Sequence, residues 1–246
     1  KLFSPAPSKA KTVNGSLHGC DVAVPGFLPQ LSTEAVQKAV LLSAALDCTI
    51  PTLSVFERKH YVYADLPLSY QITQQQHPLG HSGMIECEWK LSHKQRKNLK
   101  DLSPSIRCRA DRIQLEQDTA KTVTHVVDGK TFSRVDFSRA GCALVEVVMA
   151  PDLSSSLQAA SVVHGLRQLV RTTGASQGKM ELGQMRVDAN VNIVGDGSKS
   201  PRVEVKNLNS IQQVKDAIDY EAARAAAAMG ELSVEETRTW NVAEKC

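Results

Sequence analysis

Glu116 stands in the run Leu115-Glu116-Gln117-Asp118, followed by Lys121. Carboxylates projecting from one site can hold Mg2+, which keeps several waters and needs only one or two protein ligands beside a phosphate. An exposed strand end accounts for the same residues. A second group, Arg186, Asp188, Asn190 and Asn192, occupies alternate positions, so a strand would put all four side chains on one face, either a solvated face or a site. A third, Glu204-Val205-Lys206-Asn207-Leu208-Asn209-Ser210, places Glu204 and Lys206 on one strand face before a helix start. Turn and cap chemistry explains Asn207 and Asn209 without any function. The fourth is Arg58-Lys59-His60-Tyr61 with Asp65, Tyr70, Gln71 and Gln74. It mixes cations suited to phosphate with hydroxyls and amides that could orient a ligand, and its plain alternative is a polar surface hairpin.

The elements that must position these groups follow from periodicity. Glu34 to Leu46 carries Val36, Ala39, Val40 and Leu46 near helical spacing behind Ser32 and Thr33, either of which can cap. Tyr61 to Thr73 mixes β-formers with a Pro67 break, predicting two short strands or a strand and a loop. Asp128-Gly129, between Val123–Val127 and Thr131–Phe137, supplies the positive φ angles of a type I′ hairpin. Ala143 to Met149 reads as a strand, and Leu157, Val162, Leu166, Leu169 and Val170 as a helix ending near Gly174. Met185 to Val194 and Arg202 to Lys206 read as strands, with Gly195 and Gly197 in a turn. Ser210 to Met229 reads as an Ala-rich helix capped by Asn209 or Ser210 and stopped by Gly230. Hairpins interleaved with three helices predict an α+β fold with a mixed or antiparallel sheet.

Composition narrows the chemistry. Apolar residues at 42% and charged residues at 22% describe a globular chain of 246 residues. The longest apolar stretch, Ala143 to Ala150, is interrupted by Glu146 and is too short to span a bilayer, so no membrane insertion is expected. Six dispersed cysteines without a Cys-x-x-Cys pair indicate neither a zinc site nor a disulfide framework. The P-loop, the dinucleotide fingerprint and the nucleophile elbow are all absent from the sequence. A start at Lys1 rather than Met suggests a fragment or processed product. Lys90 to Arg112, with eight Lys/Arg against two Asp, reads as a basic surface loop that could attract phosphate but lacks aromatics for base stacking.

Four stretches, in order, resemble the B subunit of the tRNA-dependent amidotransferases, the GatB/GatE family. They are Arg58 to Pro67 continuing through Tyr70-Gln71-Ile72-Thr73-Gln74, Arg112 to Asp118, Val135-Asp136-Phe137-Ser138-Arg139-Ala140-Gly141, and Arg186 to Asn190 with Val203 to Ser210. Weaker matches at Leu28-Pro29 and Glu236-Thr237-Arg238 extend the resemblance over nearly the whole chain, and Gln114-Leu115-Glu116-Gln117-Asp118 is most similar to mitochondrial members.

The resemblance implies a glutamine synthetase-like catalytic (cradle) core over 21–246 behind an irregular lead-in at 1–20. The family's first strand and its C-terminal helical and tail domains are expected outside this stretch. It implies a subunit that uses ATP and Mg2+ to activate the glutamyl carboxylate of Glu-tRNA(Gln) for amidation, working with amidotransferase A and C subunits in the mitochondrial matrix. A non-catalytic scaffold or tRNA-binding subunit of the same complex is the alternative. On this resemblance Glu116, Glu204 and Asp188 are catalytic candidates and Glu116 and Glu204 hold the metal. Arg58, Lys59, Tyr70 and Lys206 face ATP phosphates or the aminoacyl end. Positions often acidic in the family are Gln117, Ala150 and Leu182 here, and one often Lys is Leu68.

Overall fold

The computed structural model describes residues 1–91, 95, 103, 105–195, 198–228, 234–244 and 246. The fold is α+β: three α-helices and short strands arranged in five small sheets among the described residues. The chain forms two compact units, one built from 1–83 and 110–149, the other from 84–109 and 150–246.

In the first unit, α1 (Thr33–Ala45) starts where the Ser32 hydroxyl accepts the Ala35 amide at 3.3 Å. Its inward residues Ala39, Val36 and Val40 pack with Leu2, Leu79 and Leu115. The 1–20 segment is irregular; Leu2 is fully buried in that core and Lys1 forms a buried ion pair with Asp21 at 3.1 Å. β1 (Glu57–His60) and β2 (Tyr70–Thr73) form an antiparallel pair, with Tyr61–Ser69 as the connection; the first strand thus lies earlier than the run of β-formers from Tyr61 suggests. β5 (Lys121–Val127) and β6 (Lys130–Asp136) make the expected hairpin, with Asp128 at φ 49° and Gly129 at φ 72°.

β3 (Gly80–Cys87) and β4 (Ile106–Gln117) each run from one unit into the other, and β4 pairs antiparallel with β7 (Ala143–Met149). β4 corrects the basic-loop expectation for Lys90 to Arg112. From Ile106 onward, Ile106, Cys108 and Ala110 are buried while Arg107, Arg109 and Asp111 are exposed, the period of two of a half-buried strand. Its arginines are the solvent face of that strand. Residues 92–94, 96–102 and 104 of the same stretch lie outside the described residues.

In the second unit, β8 (Val187–Val191), β11 (Val203–Leu208) and β12 (Glu236–Thr239) form a mixed sheet, β11 central, antiparallel to β8 and parallel to β12. The short strands β9 (Val194–Gly195) and β10 (Ser198–Lys199) pair beyond β8, so the expected Met185–Val194 strand is split and Gly195 sits in a strand rather than a turn. α2 (Ser156–Thr172) and α3 (Ile211–Ala227) are capped by the hydroxyls of Ser155 and Ser210. Val163 of α2 and Val214 and Ala217 of α3 share a core with Val203, Val205, Leu208 and Trp240. Burying side chains of this size removes about 1.5–3 kcal/mol of unfavourable hydration each. Gly230, the expected helix stop, lies outside the described residues.

Candidate active site

In the first unit β4 sends Ile113 and Leu115 into the core, so Arg112, Gln114 and Glu116 occupy its other face. Gln114 lies opposite Glu146 of β7 in the ladder, and Glu116 lies opposite Leu144. Glu146 and Glu116 are therefore diagonal neighbours on one face. The buried Gln114 amide joins them: its nitrogen donates to Glu116 Oε1 at 2.8 Å and also to Glu146 Oε2, while its oxygen accepts Arg112 Nε at 3.0 Å. From β2, Thr73 Oγ1 donates to Glu116 Oε1 at 2.7 Å.

Two carboxylates this close repel. Burial of its carboxyl and then the charge of Glu116 push Glu146 above the ordinary carboxylate range, with Arg112 pulling the other way. The residue as a whole is exposed; it is the carboxyl end, set against Glu116 and Gln114, that loses water. A divalent cation would relieve the repulsion, and Mg2+ is satisfied by one or two carboxylates plus water. Among the described residues there is no group of three or more His, Cys, Asp and Glu side chains that could hold a metal ion.

The β1–β2 pair divides the predicted phosphate group between two faces. Arg58 stacks over the Tyr70 ring at 4.5 Å, whereas Lys59 lies across from Gln71, on the face that carries Thr73, with its ammonium 5.9 Å from the Tyr61 ring. Gln71 donates to the Gln117 carbonyl at 2.7 Å and accepts the Tyr61 hydroxyl at 3.3 Å. Burial, then Asp65, Glu116 and Asp118, raise the Tyr61 phenol, so it keeps its proton and stays a donor. Lys59 and Tyr61 thus belong with Glu116, and Arg58 and Tyr70 do not share that face.

Glu204, Lys206 and Asp188 come together in the second unit. Lys206 Nζ lies 2.9 Å from Glu204 and 3.6 Å from Asp188. The Lys206 contact holds Glu204 below its usual range and Glu204 raises Lys206, so this pair is charged at neutral pH. Asp188 also accepts the amide of Asn207, whose φ of 63° falls at the register shift in β11. That bond gives Asp188 a structural role. Asn190 lies opposite Glu204, while Arg186 and Asn192 fall just outside β8, so the four-residue face of the sequence is shortened to its middle pair.

The two residues assigned to the metal, Glu116 and Glu204, belong to different units. Glu146, Gln114 and Thr73 have no place in the predicted set, although a Glu centred in the apolar strand Ala143–Met149 is the signal that marks the first of them.

A family model described as the GatB/GatE catalytic domain matches residues 1–246. The chain is 42% identical over 246 residues to the B subunit of the aspartyl/glutamyl-tRNA(Asn/Gln) amidotransferase of Thermomicrobium roseum, covering 98% of this chain and 48% of that protein. It is 39% identical over 234 residues to the protein of the same name from Mycoplasma pneumoniae, with 93% and 46% covered. It is 37% identical over 243 residues to the mitochondrial B subunit of the glutamyl-tRNA(Gln) amidotransferase of Scheffersomyces stipitis, with 98% and 45% covered. The chain spans about half the length of these relatives. With the whole chain matched, it belongs to the GatB/GatE catalytic-domain family.

Proposed function

We propose that this chain is the catalytic part of an amidotransferase B subunit that activates the glutamyl carboxylate of Glu-tRNA(Gln) with ATP and Mg2+ for conversion to Gln-tRNA(Gln). Amidotransferase A and C subunits are its partners in this reading. The relative named mitochondrial supports a mitochondrial location, the matrix being the compartment of this reading, and no helix among the described residues is long and apolar enough to cross a membrane. The observation that carries the reading is the Glu116–Glu146 pair in a chain whose whole length matches the family.

A carboxylate is a poor electrophile until one oxygen becomes a phosphate leaving group, which ammonia then displaces to give the amide. Bound at Glu116 and Glu146, Mg2+ would supply neutralisation of phosphoryl charge. Around that position Gln114 and Thr73 fix both carboxylates, and Arg112 orients Gln114. Lys59 offers a cation for phosphate, and Tyr61 a hydroxyl donor. In the second unit, Lys206 could meet an anion once its paired carboxylates take a cation of their own.

The test is transamidation of Glu-tRNA(Gln) by the full-length protein with its A and C partners, glutamine, ATP and Mg2+. ATP-dependent Gln-tRNA formation that requires this protein is the expected result. A stable complex with no ATP-dependent product would reduce its role to that of a scaffold.

A further inference from the structure

The Glu236-Thr237-Arg238 motif lies on β12, the edge strand of the second unit's three-stranded sheet. Its parallel register sets Glu236 beside Val203, Thr237 beside Glu204, Arg238 beside Val205 and Thr239 beside Lys206. Val203 and Val205 pack toward α3, so Glu236 and Arg238 share that face, while Thr237 and Thr239 stand on the open one with Glu204 and Lys206. On the α3 side four charges close a ring. The buried Glu221 of α3 accepts from Arg224 at 2.7 Å and from Arg238 at 3.0 Å; Glu236 accepts from Arg224 at 2.8 Å and lies 3.9 Å from Arg238. Sliding β12 by one residue would take Arg238 from the buried Glu221 and turn Thr237 away from Glu204. On the open face the Thr237 hydroxyl donates to Glu204 Oε2 at 3.3 Å, while Lys206 Nζ donates to Oε1 at 2.9 Å. The two oxygens thus have different donors, one from each strand. The Glu204 side chain is still 32% exposed, so the lone pairs left on it are open to a ligand.

We propose that Thr237 is a positioning residue for Glu204: its hydroxyl, carried by β12 and held in register by the Glu221–Arg238 clamp, keeps Oε2 off Lys206 and available to a divalent cation. The inference rests on the reading that Glu204 is a metal ligand. A carboxylate beside a lone ammonium can turn both oxygens toward it. With the Thr237 donor gone, Glu204 is free to close on Lys206 in that way, and the ion pair then competes with any ligand for the same oxygens. Groups that orient a metal ligand without touching the metal change affinity by about 10–100-fold. Thr237→Val keeps the size and β-branching that suit a strand and removes the donor, whereas Thr237→Ser keeps the donor.

The experiment titrates Mn2+, as a stand-in for Mg2+, into the full-length protein in complex with its partners and reads the free ion by electron paramagnetic resonance. Glu204→Gln marks which part of the binding curve belongs to Glu204. Thr237→Val should weaken that part by about tenfold and raise the Mg2+ concentration for half-maximal ATP-dependent glutamyl activation by a similar factor, with Tm unchanged. Thr237→Ser should bind Mn2+ nearly as the parent does. A Val variant with the parent's Mn2+ affinity, while Glu204→Gln loses the site, would overturn the role of Thr237 and leave Glu204 as a ligand. So would a Ser variant as weak as Val, or a loss of affinity that follows a fall in Tm, since packing rather than the hydroxyl would then be responsible. Unchanged Mn2+ binding in Glu204→Gln would sink the metal assignment of Glu204 and this inference with it. Were the Mn2+ results as expected but no glutamyl activation detected in the parent, the catalytic reading would fail and the positioning role would stand.

Discussion

A carboxylic acid set beside Glu116 does not titrate as it does in water. Because Glu146 is raised in the folded protein, the fold binds more protons than the unfolded chain near its pKa. Its contribution to stability is full below the unfolded value of about 4.3 and is lost as pH rises through the folded value. Glu146→Gln should remove that loss. In Mg2+-free buffer its Tm should match the parent near pH 4 and exceed it at pH 7, and millimolar Mg2+ should raise the parent more than the variant. A constant difference across pH would show that the pair is not coupled. Glu116→Gln and Glu204→Gln should each lower ATP-dependent glutamyl activation by at least ~100-fold, the larger end of what disturbing a metal's surroundings costs, with circular dichroism unchanged. Undiminished acyl-phosphate formation in either variant would strike that residue from the metal assignment.

The elements that hold these residues differ in how plainly the sequence announces them. Asp128-Gly129 dictates its own hairpin, and Ser32, Ser155 and Ser210 sit directly before amphipathic stretches, so those elements are legible from a few neighbouring residues. β4 was hidden because its arginines, read as a run, resemble a solvated loop, although they alternate with Ile106, Cys108 and Ala110. The end of β7 is fastened to β4 by a similarly long-range contact. Arg109 reaches Asp152 through Nε at 3.0 Å and a terminal nitrogen at 2.7 Å, and its amide adds a third bond at 2.9 Å. Those hydrogen bonds hold Asp152 down to about 2. Its stabilising effect is therefore present above the unfolded carboxylate range and lost as pH falls through about 2. Asp152→Asn should cost about 0.5–1 kcal/mol in urea melts at pH 7 and little at pH 2; equal costs at both values would refute the ionic origin.

At the scale of the molecule, family membership follows from short motifs spread along the chain, whereas the division into five small sheets depends on pairings that no local pattern specifies. The candidate site shows the same limit. Glu116 and Glu204 stand in recognisable motifs, but Glu146, the carboxyl that Glu116 perturbs, comes from β7 and becomes visible only through the β4–β7 register. On the proposed reading, activity belongs to an assembly larger than this chain, so ATP-dependent transamidation is the measurement proper to this scale, with omission of this protein as its control. Product formed without it would remove the chain from the reaction.

The two units are interleaved along the sequence, with passages at 83/84, 109/110 and 149/150. A chain leaving the ribosome therefore delivers Leu2 and α1 long before Leu115 and β7, which complete the same core. Until residue 149 clears the exit tunnel, the apolar face of α1 has no finished partner, and the emerging segment must stay soluble in that interval. Vectorial synthesis thus gives this topology a waiting period, during which a slower pause before residue 149 prolongs exposure to chaperones and proteases, and one after it does not.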